Sequence, residues 1–120
     1  MPAVAVIGAS TDRAKYGNKA VRAYLRQGWT VYPVTPNQRV VEGLPTVPTV
    51  EAISGPVDRV AFYVPPAIGI TLLSGIARKG GVSEVFLNPG SESDELLAEA
   101  ERLRLPTIQA CAIVDIGERP

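Results

Sequence analysis

An apolar run, Ala3–Ile7, that breaks directly into Gly8-Ala9-Ser10 constrains this chain more than any other feature. Apolar residues without polar alternation describe a strand buried on both faces, and such strands belong to parallel sheets covered by helices. A helical pattern follows. Gly17 comes just before it, Ala20, Val21, Tyr24 and Leu25 recur along it, and Gly28 supplies a C-terminal stop. Strand, glycine turn and helix in this order offer backbone N–H groups to a phosphate. The spacing is not Gly-x-Gly-x-x-Gly, so the usual dinucleotide fingerprint fails. The turn holds extra residues, Thr11 to Tyr16, among them Lys15. They point to a nucleotide-type ligand other than plain NAD. An ordinary tight strand–helix turn is the competing reading of the same residues.

Strand and helix patterns alternate along the rest of the chain. Thr30–Val34 reads as a second strand, ended by Pro36-Asn37. Arg39–Pro48 reads as irregular, broken by Gly43, Pro45 and Pro48. Thr49 is placed to cap a short helix through Ser54, and Arg59–Val64 is rich in β-formers. Pro65-Pro66 stops that strand and opens a helix whose stripe is Leu72, Leu73, Ile76 and Ala77, ended by Gly80-Gly81. Glu84–Leu87 is a fourth strand, followed by Asn88-Pro89-Gly90. Ser93 caps a last helix with Leu96, Leu97, Ala100 and Leu103 inward, and Thr107–Ile108 begins a fifth strand. The expected fold is α/β: one doubly wound domain over residues 1–120, its five-stranded parallel sheet covered by helices on both faces. Ligands of such sheets sit outside the C-terminal strand ends. The loops that matter are therefore Gly8–Tyr16, Thr35–Arg39, Pro65-Pro66 and Asn88–Gly90.

Composition narrows the chemistry. With twelve basic and twelve acidic residues the formal net charge is zero, and no basic block suits nucleic acid. The lone Cys111 excludes an intramolecular disulfide framework and argues against structural zinc. No charged-then-apolar leader opens the sequence and no apolar run reaches membrane-spanning length, so a soluble cytoplasmic protein with no membrane partner is expected. Arginine in excess of lysine and plentiful proline suit a heat-stable protein. Histidine is absent, which removes His-based triads and common metal clusters. Cys111 reads as a small buried hydrophobe. Asp12, Asp58 and Asp115 are acid–base candidates, although capping and turn formation explain them equally. No pair of residues has a spacing that demands chemistry, so neither a catalytic residue nor a metal ligand is assigned.

The second strand end carries one further clue. NAD-binding domains of this architecture place Asp or Glu there for the ribose hydroxyls. Here the run is Val34-Thr35-Pro36-Asn37, with Arg39 close behind. A missing carboxylate and a nearby cation suit a ribose that carries a phosphate, so NADP and coenzyme A both fit. A solvated surface arginine is the plainer reading of Arg39.

Gly8-Ala9-Ser10, Lys15-Tyr16-Gly17-Asn18, Val31 to Asn37, Gly43, Val57-Asp58 and Tyr63-Val64-Pro65-Pro66 together resemble the CoA-binding domain family in its small standalone form. The resemblance covers essentially the whole chain, and the same Rossmann-like fold resembles the N-terminal nucleotide-binding domain of the succinyl-CoA synthetase alpha subunit. The resemblance implies CoA or acyl-CoA as ligand. It implies that Gly8, Ala9 and Ser10 meet the pyrophosphate through backbone N–H groups and the serine hydroxyl. Lys15, Tyr16 and Asn18 match the segment closing over the phosphates. Val34, Thr35, Pro36 and Asn37 match the adenosine pocket, with Arg39 a partner for the 3′-phosphate. Tyr63, Val64 and Pro65 match the loop against adenine and the pantetheine arm, and Asn88, Pro89 and Gly90 the fourth-strand loop near the pantetheine exit. The sequence departs from the family at Leu87-Asn88-Pro89-Gly90, where many relatives carry Trp-x-Gln, and after Cys111, where relatives often reach a histidine. A CoA-binding protein without catalysis of its own is the first reading. A CoA- or NADP-dependent enzyme and a nucleotide-sensing redox subunit are the alternatives.

Overall fold

Along β1 (Ala3–Ile7), Val4 and Val6 face one side of the sheet and Ala5 and Ile7 the other, and all four are buried. That double burial fixes the architecture. The computed structural model describes residues 2–120 and contains a five-stranded parallel sheet with the order β2-β1-β5-β6-β7. β2 is Thr30–Val34, β5 Arg59–Phe62, β6 Glu84–Leu87 and β7 Thr107–Ile108. β1 pairs with β2 from Ala3↔Thr30 to Ile7↔Val34, and with β5 from Val4↔Arg59 to Ile7↔Phe62. Helices α1 (Tyr16–Arg26) and α4 (Ala112–Asp115) cover the face of Val4 and Val6, with Ala20, Val21, Tyr24 and Ile113 packed inward. Helices α2 (Pro66–Lys79) and α3 (Asp94–Arg102) cover the other, where Leu73, Ile76, Leu96 and Ala100 meet Ile7 and Phe62.

The helix ends follow local chemistry. Pro66 occupies the first turn of α2, where no N–H is missed, and Gly80 ends the helix at φ +73°. Ser93 Oγ accepts from Leu96 N at 3.1 Å at the start of α3, with Asp94 and Glu95 in the first turn and Arg102 in the last.

Four expectations are corrected. The third strand stops at Phe62 rather than Val64, because Pro65 has no N–H to continue the ladder. The Thr49–Ser54 helix is a single 3-10 turn over Val50–Ala52, and the Thr49 side chain makes no cap bond. The segment Arg39–Pro48 is ordered: β3 (Val40–Val41) and β4 (Leu44–Pro45) form a hairpin that buries Val41 completely. The helix that starts at Ser93 is not the last, since α4 follows; four residues are too few to show a helical period.

At the N-terminal edge of the sheet lies a polar cluster that the sequence did not announce. The buried Arg59 guanidinium donates to Glu84 Oε1 at 2.8 and 3.1 Å, to Asp115 Oδ2 at 2.8 Å and to the Tyr24 hydroxyl at 3.1 Å. It also lies over the rings of Phe86 and Trp29, 4.4 and 5.0 Å from their centroids. Tyr24 OH in turn donates to Ala112 O at 2.7 Å. Burial works against the Arg59 charge, but its hydrogen bonds to Tyr24 and Glu84 outweigh that and push its pKa up. Asp115 is thereby an ion-pair partner, and Asp58 Oδ2 accepts from Ala3 N at 2.7 Å. Both acid–base candidates are structural groups, at the edge opposite the ligand loops.

Candidate functional site

The chain leaves β1 toward β2 on one side and returns to β5 on the other. The topological switch point therefore falls between β1 and β5, and the loops that follow them flank the crevice position at which sheets of this kind take ligands. At Gly8 they touch. Gly8 adopts φ +91°, and a Cβ there would lie 2.7 Å from Tyr63 O and 3.0 Å from Val64 Cγ1. Only glycine allows that backbone shape at that distance. Gly8 N donates to Val34 O and Tyr63 N to Ile7 O, so three strand ends are stitched at one point. Gly17, in the first turn of α1, rests directly on Gly8, and a Cβ there would overlap the Gly8 carbonyl oxygen. The helix is thus seated on the turn by two glycines.

The α1 N-terminus has no side-chain cap and no acidic residue in its first turn. It follows a loop carrying Arg13 and Lys15, both exposed, and Lys19 lies in its first turns. Such an end presents partial positive charge and free N–H groups. Tyr16 is 57% exposed, with Lys19 Nζ 4.8 Å from its ring centroid. Lys15 and Arg39 are the basic side chains singled out in these loops by sequence. Arg13 is a third, inside the Thr11–Tyr16 segment, and was legible there.

The turn itself is held by side chains. Ser10 Oγ accepts from Asp12 N at 3.0 Å, which leaves the hydroxyl proton available to an outside acceptor. Asp12 Oδ1 accepts from Ala14 N at 3.0 Å, so Asp12 serves the turn. Asn18 is completely buried and fully engaged. Its Nδ2 donates to Ser10 O at 2.9 Å and to Glu42 Oε2 at 3.0 Å, and its Oδ1 accepts from Arg22 Nε at 2.7 Å. Asn18 therefore shapes the turn from below.

The other candidates divide by exposure. Pro36, Asn37, Arg39, Pro65, Pro89 and Gly90 are exposed at the C-terminal edge. Ala9 is buried against α1, and Val34 has its side chain in the core beside Ile7 and Val50. Thr35 is buried, and its Oγ1 accepts from Asn37 N at 3.3 Å. Asn88 is buried and spent on the fold: its Nδ2 donates to Phe62 O at 2.8 Å and its Oδ1 accepts from Ala112 N at 2.9 Å. The Tyr63 ring packs toward the α1–α4 face near Cys111, and its buried hydroxyl finds no hydrogen-bond partner among the described residues. Burial pushes that phenol well above its ordinary pKa, so it stays protonated. That loop therefore offers the Tyr63 backbone and the exposed Pro65, while Val64 is half-buried against the core of Ile7 and Phe62. Among the described residues no group of three or more acidic or cysteine side chains could hold a metal ion, and no helix is long and apolar enough to cross a membrane.

Comparison with known proteins bears on this geometry. Residues 2–117 match the family model described as a CoA binding domain. Acetate--CoA ligase [ADP-forming] I of Archaeoglobus fulgidus is 33% identical over 87 residues, which are 72% of this chain and 13% of the ligase. The chain thus corresponds to a small part of that curated relative. A conserved hypothetical protein from Pyrococcus furiosus superposes with a TM-score of 0.86 at 29% identity, covering 96% of this chain and 99% of that one. The dinucleotide forming acetyl-coenzyme A synthetase 1 of Ca. Korarchaeum cryptofilum, solved with phosphate and ADP, gives 0.77 at 26% identity over 90% of this chain and 25% of its own.

Proposed function

The chain belongs to the CoA binding domain family, and from that premise we propose that residues 1–120 form one cytoplasmic domain that binds CoA or acyl-CoA and carries out no chemistry of its own. The carrying observation is the switch-point crevice, where the Gly8 turn and the uncapped, basic end of α1 meet the Tyr63–Pro65 loop. A diphosphate suits the free N–H groups and the Ser10 hydroxyl. Pro36, Asn37 and the exposed Arg39, with no carboxylate at the β2 end, suit an adenosine whose ribose bears a phosphate. The pantetheine arm would then pass Val64 and Pro65 toward Pro89 and Gly90. The polar groups nearest the turn, Asp12, Asn18 and Glu42, are occupied in holding it, which supports a binding role over acid–base work. The unpaired Cys111 suits a reducing compartment.

Calorimetric titration of the protein with CoA, dephospho-CoA, NAD and NADP tests the reading. CoA should bind most tightly; a preference for NAD would overturn it. Arg39→Ala should weaken CoA and leave dephospho-CoA nearly unchanged, while Lys15→Ala should weaken both. Each loss is at most about 1.5 kcal/mol, since both side chains are exposed. Ser10→Trp should cost at least about tenfold in CoA affinity, about 1.4 kcal/mol, in a protein that still folds. A folded Ser10→Trp variant with unchanged affinity would place the ligand elsewhere.

A further inference from the structure

The β3–β4 hairpin turns through Glu42-Gly43, with φ +49° at Glu42 and +78° at Gly43. Positive φ at both central residues is the arrangement of the two-residue hairpin turn that favours Asn, Asp or Gly at its first position. Glutamate there is a conformational liability that its side chain must offset. The Glu42 carboxylate leaves its own hairpin and reaches the phosphate turn. Its Oε2 accepts from Asn18 Nδ2 at 3.0 Å and lies 3.6 Å from Arg13 Nε. Arg22 closes the circuit, donating from Nε to Asn18 Oδ1 and from Nη2 to Arg13 O. Val41, fully buried among Ala20 and Val21, anchors the hairpin from which Glu42 projects.

Resting on the CoA reading of the crevice, we propose that Glu42 is a positioning residue for ligand binding. It tethers the hairpin to Asn18, which holds Ser10 O and, through Arg22, Arg13 O, and so keeps the Ser10–Arg13 backbone in the shape that receives the diphosphate. The hydrogen-bond acceptor matters in this role, not the negative charge, which a diphosphate would repel. The ordering entropy of the loop is thereby met in the free protein rather than at binding.

Two variants test it. Glu42→Gln keeps an acceptor for Asn18 and removes the charge. Glu42→Gly removes the tether and relieves the backbone, so the hairpin is retained. Backbone 15N order parameters of the free proteins should show Ser10–Arg13 loosened in Glu42→Gly and unchanged in Glu42→Gln. CoA and dephospho-CoA affinities should both fall about fivefold in Glu42→Gly and be no weaker than wild type in Glu42→Gln. Titrations well below each variant's Tm keep global stability from entering. Equal loop order in all three proteins, or tighter CoA binding by both variants, would overturn the proposal. Wild-type protein that fails to bind CoA would refute the ligand assignment separately, while the order parameters of the free proteins still judge the tether.

Discussion

Gly17→Ala should destabilise the fold by on the order of 3 kcal/mol and lower Tm by roughly 10–20 °C. The added Cβ would overlap the carbonyl oxygen of Gly8, which is backbone and has no rotamer to yield. Gly8 is itself pinned by its N–H to Val34 O and by the closeness of Tyr63. Relief therefore requires α1 to lift from the sheet, opening the packing of Ala20, Val21 and Tyr24 against Val4 and Val6. The same displacement carries the N-terminal N–H groups away from the crevice, so CoA binding should be lost even where the protein still folds. Urea unfolding and titration measure the two effects separately. A Gly17→Ala protein of wild-type stability would show that the helix is not seated on the turn. Gly80→Ala is a useful contrast. It carries the strain of φ +73°, but a Cβ there meets nothing within 4 Å among the described residues, so it should cost only about 1 kcal/mol.

The second large effect belongs to the opposite edge. Arg59→Ala should cost about 2–4 kcal/mol of stability, through loss of the guanidinium packing between Phe86 and Trp29 and of its buried hydrogen bonds. The carboxylates of Glu84 and Asp115 are part-exposed, 36% and 44%, and return to water without great penalty. The expected loss therefore stays below that of stranding a fully buried charge. Arg59→Lys should recover less than half of it, because one ammonium cannot meet Glu84, Asp115 and Tyr24 OH from a flat, stacked position. CoA affinity at 25 °C should be unchanged in both variants, since Arg59 pairs with Val4 at the start of β1, the far end from Gly8. A variant that kept its stability but lost CoA would contradict the separation of the two edges.

The architecture was legible because its signals were long or periodic. The apolar runs at Ala3–Ile7 and Glu84–Leu87, the Pro65-Pro66 helix start and the Ser93 cap each named an element that the structure contains. The hairpin was not legible. Two-residue strands carry no period, and Glu42-Gly43 is an atypical turn pair. Polar roles were the least readable. Asn18 and Asn88 read as ligand-facing, yet sequence cannot say whether an amide faces a ligand or the fold beneath it. In the structure both amides are spent on the fold, Asn88 on Phe62 O and Ala112 N, Asn18 on Ser10 O, the Glu42 carboxylate and the Arg22 guanidinium. Arg59 was hidden for a related reason. A charged residue opening a strand normally reads as exposed, and only the tertiary arrival of Asp115 and Tyr24 makes its burial tolerable.

The order β2-β1-β5 has a consequence for assembly in time. β1, α1 and β2 lie within the first 34 residues and form a unit that pairs β1 along one edge only. The other edge waits for β5, which begins at Arg59, and closing so long a crossover onto a parallel neighbour is a slow event. A nascent chain that has not reached Phe62 carries the whole glycine motif and still lacks one wall of the crevice. The second wall is thus the later of the two to be available during synthesis. A ligand that requires both walls favours the docked state alone, and acts as a fastener for the last strand to arrive beside β1.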